Sequence, residues 1–166
     1  MRRSACLYED AGEAYGPSGK FYYAECGAHA GPLGAIAMTI GLLVFGVLAY
    51  FSISRYFIRM ILPKPGSGPS KEKRDQAWFR NRLTCETVDG DMLFGNVAGG
   101  DPGYDETAKM ISEAAMCLVN ASELPAKGGV LTPASSMGNT YLERLREAGL
   151  TFQVQPLTQD DPTIFK

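Results

Sequence analysis

Histidine is nearly absent from this 166-residue sequence: His29 is the only one. The four cysteines, Cys6, Cys26, Cys85 and Cys117, stand far apart and form no C-x-x-C pair. A zinc site of ordinary spacing is thereby excluded. His29 has no Ser or Cys with a reason to face it, so the reading assigns no catalytic and no metal residue. The cysteines read as small apolar fillers; a Cys6–Cys26 disulfide stays open if the N-terminal side meets an oxidising compartment. Large net charge is missing too. A formal charge of −2 makes no basic field, which sets nucleic acid aside as a partner. Nor does any strand run into a G-x-G-x-x-G turn and a helix start, the unit that cradles a dinucleotide phosphate. Gly95, Gly99, Gly100 and Gly103 follow a hairpin strand at the wrong spacing and read as turn chemistry, so no cofactor residue is assigned. With 45% hydrophobic residues and no repeat, the length fits one ordinary domain.

The apolar residues are unevenly spread. From Ala30 to Ser54 there is no Asp, Glu, Lys or Arg, and some 20 apolar residues at about 1.5 Å each span a hydrocarbon layer of about 30 Å. The expectation is a single transmembrane helix with an amphipathic extension over residues 31–62. Gly34, Gly41 and Gly46 interrupt it without G-x-x-x-G spacing, so no dimer motif is read. Basic residues crowd its C-terminal flank, beginning with Arg55, Arg59 and Lys64, while Glu9, Asp10, Glu13 and Glu25 precede it. The positive-inside rule then puts the C-terminal domain on the cytosolic or matrix side. Tyr50 and Tyr56 stand where interfacial aromatics stand, and Arg55 and Arg59, four apart, suit cations that snorkel from an amphipathic turn. Arg55, Arg59, Lys64, Tyr50 and Tyr56 are the candidate membrane-interface or lipid-headgroup residues. Residues 1–30 show no period and read as an irregular lead that lies against something else.

Residues 63–76 open with PKPGSGPS, a stiff connector, and continue as a charged stretch. Residues 77–155 read as a small α+β domain. Ala77 to Val88 alternates as a strand, Asp89-Gly90 signals a two-residue type I′ hairpin turn, and residues 91–97 return as its partner. From Tyr104 to about Asn120 the apolar Ala108, Ile111, Ala114, Ala115 and Leu118 recur every three or four residues, as in an amphipathic helix. Val130-Leu-Thr reads as a short strand ended by Pro133, Thr140 to Ala148 as a helix stopped by Gly149, and residues 150–154 as a last strand. Residues 156–166 form a tail.

Three runs, GYDETAKMISEAAMCL (103–118), LPAKGGVLTP (124–133) and LERLREAGLTFQV (142–154), together with the connector LPKPGSGPS (62–70), resemble the C-terminal end of the saccharopine dehydrogenase-like oxidoreductases, also called trans-acting enoyl reductase-like proteins. The resemblance runs from Gly31 to Val154. It implies a family whose members begin with a dinucleotide-binding Rossmann domain, a unit with no match in these residues. The expectation that follows is a non-catalytic, membrane-anchored accessory subunit of a larger membrane complex, with other subunits and membrane lipids as partners. A mitochondrial inner-membrane respiratory complex is its expected home. The alternatives are the membrane half of a split NAD(P)-dependent oxidoreductase and a lipid-surface or lipid-binding protein.

Overall fold

A computed structural model describes residues 1–14, 21–29, 31–64, 66–120, 122, 124–125 and 128–156. Among them the elements run α1 (Arg2–Asp10), α2 (Pro32–Tyr50), α3 (Ser52–Ile61), α4 (Lys71–Asp75), β1 (Phe79–Glu86), β2 (Met92–Gly99), α5 (Asp105–Val119), α6 (Pro133–Glu147) and β3 (Thr151–Pro156). The chain divides into two units, one made of residues 1–23 and 70–166, the other of residues 24–69.

The larger unit is α+β, built on a three-stranded antiparallel sheet in the order β1-β2-β3. Leu83 pairs with Gly95 and Arg82 with Asn96 across β1–β2; Asn96 pairs with Gln153 and Val97 with Phe152 across β2–β3. Side chains alternate faces along a strand, so Arg80, Arg82, Phe94, Asn96, Gln153 and Gln155 share one face, where they line a groove of about 250 Å³. Phe79, Val97 and Phe152 share the other. The helices supply most of the core, in which Cys117, Met137, Leu145 and Leu150 are buried. Polar ties fix α5 against α6: the Tyr141 hydroxyl donates to the Met110 carbonyl at 2.9 Å, and Arg144 meets Glu113 at 2.6 Å. The Tyr141 phenol titrates above its ordinary value, first because burial disfavours the phenolate and then because Cys117 and Glu113 oppose it when charged.

Several expectations are corrected here. The short strand at Val130-Leu-Thr does not form; Thr132 is instead the N-cap of α6. Its hydroxyl accepts from the Ser135 amide and the Ser135 hydroxyl accepts from the Thr132 amide, a reciprocal cap, with Pro133 in the first turn where its missing N–H costs nothing. The last helix therefore starts at Pro133 and bends at Gly138, whose φ of 51° and ψ of −136° only glycine adopts readily. The hairpin turn is not type I′. Only Gly90 takes positive φ, at 87°, and its amide donates to the Thr87 carbonyl, so Thr87–Gly90 is a turn followed by a glycine in the left-handed region. Residues 1–30 are not wholly irregular: α1 forms and lies along α6, with Ser4 Oγ 2.9 Å from Thr132 Oγ1 and the Tyr8 hydroxyl donating to the Ala134 carbonyl. The charged stretch before β1 holds the short α4, and Arg74 ties it to Asp105 at 3.0 Å. Cys6 and Cys26 are both free and exposed. Most of the tail, residues 157–166, lies outside the described residues.

The smaller unit holds the apolar block. Among the described residues, α2 is the one helix long and apolar enough to cross a membrane, and none of its apolar window is buried. The expected single helix over residues 31–62 is two helices, broken at Phe51, which takes extended backbone with φ −82° and ψ 136°.

Candidate functional site

The break between α2 and α3 places all five of the interface candidates. Tyr50 closes α2, Arg55, Tyr56 and Arg59 lie on α3, and Lys64 follows two residues beyond the C-cap of α3. A helix end leaves its last carbonyls without intrahelical donors. Here α3 side chains reach back to supply them. The Ser54 hydroxyl donates to the Leu48 carbonyl at 2.6 Å, and Arg55 Nη1 donates to the carbonyls of Ala49 and Tyr50 at 3.2 and 3.0 Å. The Arg55 cation also sits at the negative end of the α2 dipole. Sequence spacing identifies Arg55 and Arg59 as a pair but not this capping role, which depends on the chain turning at Phe51.

Helix α3 is sharply two-faced. At 100° per residue, Ser52, Arg55 and Arg59 fall on one side, and Ile53, Phe57, Met60 and Ile61 on the other. The apolar residues stay open: Ile53 is 75% exposed and Ile61 85%, while on α2 Leu33 and Leu43 are 81% and 68% exposed. A soluble helix buries such a stripe. Tyr50 meets Phe51, and Tyr56 meets Phe57, edge to face with ring centres 5.4 and 5.6 Å apart. This surface offers a solvent-averse cylinder ended by aromatic rings and cations.

In the larger unit, the turn from β2 into α5 is where a dinucleotide phosphate would be sought, because glycines precede a helix start there. Three of its amides are already taken by the chain's own carboxylates. Asp101 Oδ2 accepts from the amides of Tyr104 and Asp105 at 2.7 and 3.2 Å, and Glu106 Oε1 accepts from Gly100 at 3.1 Å and from Lys109 Nζ at 2.9 Å. Glu106 and Asp101 are buried, so an arriving phosphate would find these donors occupied by carboxyl groups. Gly99 is glycine because a Cβ there would stand 2.8 Å from the Phe79 ring and 3.3 Å from the Glu106 side chain. The close approach serves internal packing. These residues do not fit a dinucleotide. Sequence reading missed the burial of Asp101 and Glu106, since acids after a strand read equally well as solvated turn and helix-start residues.

Two open grooves flank the bend of α6. One, about 370 Å³, is lined by Tyr8, Pro133, Tyr141, Leu142, Leu145 and Phe152; the other, about 600 Å³, by Tyr8, Glu13, Pro125, Met137 and Thr140 among others. Among the described residues no three His, Cys, Asp or Glu side chains gather as a metal site.

No family model matches the chain, and no solved structure matches it. Similar proteins are nonetheless evident. The chain is 34% identical over 122 residues to a Mycobacterium tuberculosis protein provisionally named a trans-acting enoyl reductase, a match covering 71% of this chain and 29% of that protein. It is 32% identical over 124 residues to the trans-acting enoyl reductase of Mycobacterium ulcerans, covering 74% of this chain and 29% of the relative. With the trans-acting enoyl reductase of Mycobacterium bovis it shares 30% identity over 118 residues, or 70% of this chain and 28% of the relative. The chain thus spans less than a third of the length of the curated relatives it matches. These relatives overturn the expectation of a non-catalytic accessory subunit: they are named as enzymes. They are also bacterial, which overturns the mitochondrial and respiratory home, and with it the expected localisation in a mitochondrial inner membrane with the C-terminal domain on the matrix side. Over about seven-tenths of its length, this chain is similar to trans-acting enoyl reductases, an oxidoreductase-like family.

Proposed function

We propose that this chain is part of an enoyl-reductase-type oxidoreductase of the saccharopine dehydrogenase-like kind, and that it supplies the lipid-contacting portion while the hydride donor is held outside its described residues. The carrying observation is 30–34% identity to trans-acting enoyl reductases over about 71% of the chain. An enoyl reductase adds two electrons and two protons across a carbon–carbon double bond conjugated to a carbonyl. The β2–α5 turn, with its amides taken by Asp101 and Glu106, supports placing the electron source elsewhere.

The apolar helix supports the lipid role. Nineteen residues at about 1.5 Å each give roughly 28 Å of helix, close to the thickness of bilayer hydrocarbon, and α2 keeps its apolar side chains exposed within its own unit. We read it as a transmembrane helix whose hydrocarbon-facing surface completes the unit. The capped end of α2 suits this medium, where an orphan carbonyl costs more than in water.

Removing the chain from its native cells and comparing extracted acyl products by mass tests the reading. An acyl species lighter by two hydrogens should accumulate, and restoring the chain should convert it to the saturated form. An unchanged acyl profile would contradict the proposed reaction.

A further inference from the structure

Resting on the reading that α2 lies in lipid, we propose that the face of α3 carrying Arg59, extended by Lys64, binds the headgroups of anionic phospholipid. The argument begins with charge segregation. No Asp or Glu occurs from Ala30 to Lys71, and among the described residues no ion pair joins Arg55, Arg59 or Lys64 to an acid of their own unit. The acid of this unit, Glu25, precedes α2 in the chain, whereas the cations follow it. All three Lys and Arg side chains of the unit, Arg55, Arg59 and Lys64, come after α2.

Geometry divides the labour among the three cations. Arg55 spends Nη1 on the carbonyls of Ala49 and Tyr50, which makes it a positioning residue that holds the start of α3 against the end of α2. Arg59 follows one turn later on the same side of α3. Opposite them Ile53, Phe57, Met60 and Ile61 are all more than half exposed. An amphipathic helix with this division rests at the interface with its apolar side in the acyl region and its cations at phosphate level. Tyr50 and Tyr56, at 79% and 65% exposure, carry hydroxyls at the same boundary. The occupant that meets an apolar face, aromatic hydroxyls and clustered cations together is an anionic bilayer surface. A free phosphate would leave the apolar side unburied, and an acidic protein would leave α2 unburied.

The test uses the full chain, diluted from mild detergent onto vesicles of phosphatidylcholine alone or of phosphatidylcholine mixed with phosphatidylglycerol, and followed by flotation. Each basic residue at an anionic surface strengthens partition roughly fivefold, so Arg59 and Lys64 together should favour the anionic vesicles by about 25-fold at low salt. That preference should vanish near ~1 M salt, where the screening length is about 3 Å. The double variant Arg59→Gln with Lys64→Gln should lose the preference and keep its partition into phosphatidylcholine, while Arg59→Lys with Lys64→Arg should retain it. Arg55 is left in place because its removal would uncap α2. Equal flotation with both vesicle types, or a preference that survives the glutamine variant, would overturn the headgroup proposal and leave the lipid role of α2 standing. Flotation with neither would overturn both.

Discussion

Replacing Glu106 tests whether its carboxylate holds the β2–α5 turn together, through Oε1 alone, since Oε2 is buried without a partner. Glu106 is buried at 6% exposure and lies at the second position of α5, where its Oε1 accepts from the Gly100 amide at 3.1 Å and from Lys109 at 2.9 Å. Glu106→Ala leaves the Gly100 amide without its acceptor, costing about 1–3 kcal/mol. Loss of the pair with Lys109, whose side chain is 36% exposed, adds only about 0.5 kcal/mol after solvent screening. The buried methylene stem contributes about 1 kcal/mol more. The expected loss is about 3 kcal/mol, equivalent to a fall in melting temperature of roughly 12 °C for a unit of this size. Glu106→Gln keeps the stem and an acceptor for Gly100, so its expected loss is about 0.5–1 kcal/mol. Thermal unfolding followed by circular dichroism, with urea titration for the free energies, measures both. Equal losses for the two variants, or a loss under about 1 kcal/mol for alanine, would refute the claim that this carboxylate holds the turn together.

Two further outcomes follow from the α5–α6 pair. Gly138→Ala forces a side chain onto φ 51° and ψ −136° and brings a Cβ to 3.4 Å from Pro125 Cγ, so it should cost about 1–3 kcal/mol by urea titration; a neutral result would mean that the bend of α6 is not held by its backbone. The Tyr141 phenol, raised above its ordinary value chiefly by burial, should be the late member of an ultraviolet tyrosine titration and be missing from Tyr141→Phe. Because the folded state holds that proton more tightly, its contribution is fully present below about pH 10 and is lost as pH rises through the folded value. An unchanged late phase in the phenylalanine variant would contradict the assignment.

Much of this architecture is written in local patterns. The charge-free block announces α2, the three-and-four spacing from Ala108 to Leu118 announces α5, and Asp89-Gly90 marks the hairpin even though its turn type differs. The failures have physical sources. Val130-Leu-Thr looks like a strand by composition, but β2 already has β1 and β3 on its two sides, and the Thr132 hydroxyl gains more by capping α6. Helix α1 has no legible period because its fixed contacts are polar ones to Thr132 and Ala134, made by residues about 126 positions away. The break at Phe51 carries no proline or glycine; Ser54 and Arg55 make it affordable by satisfying α2 carbonyls, a function visible only in three dimensions. The same holds at Asp101 and Glu106, whose burial separates a structural joint from a ligand loop. The basic pair on α3 was legible, whereas the division of Arg55 as a positioning group from Arg59 as an outward cation was not.

Purifying the chain from its native cells in mild detergent, with whatever remains bound, and measuring NAD(P)H oxidation against an α,β-unsaturated acyl thioester tests the central claim most directly. The account predicts dinucleotide oxidation matched one for one by loss of the carbon–carbon double bond in the material retained with the chain. Retained material that leaves the double bond intact in the presence of NAD(P)H would contradict it.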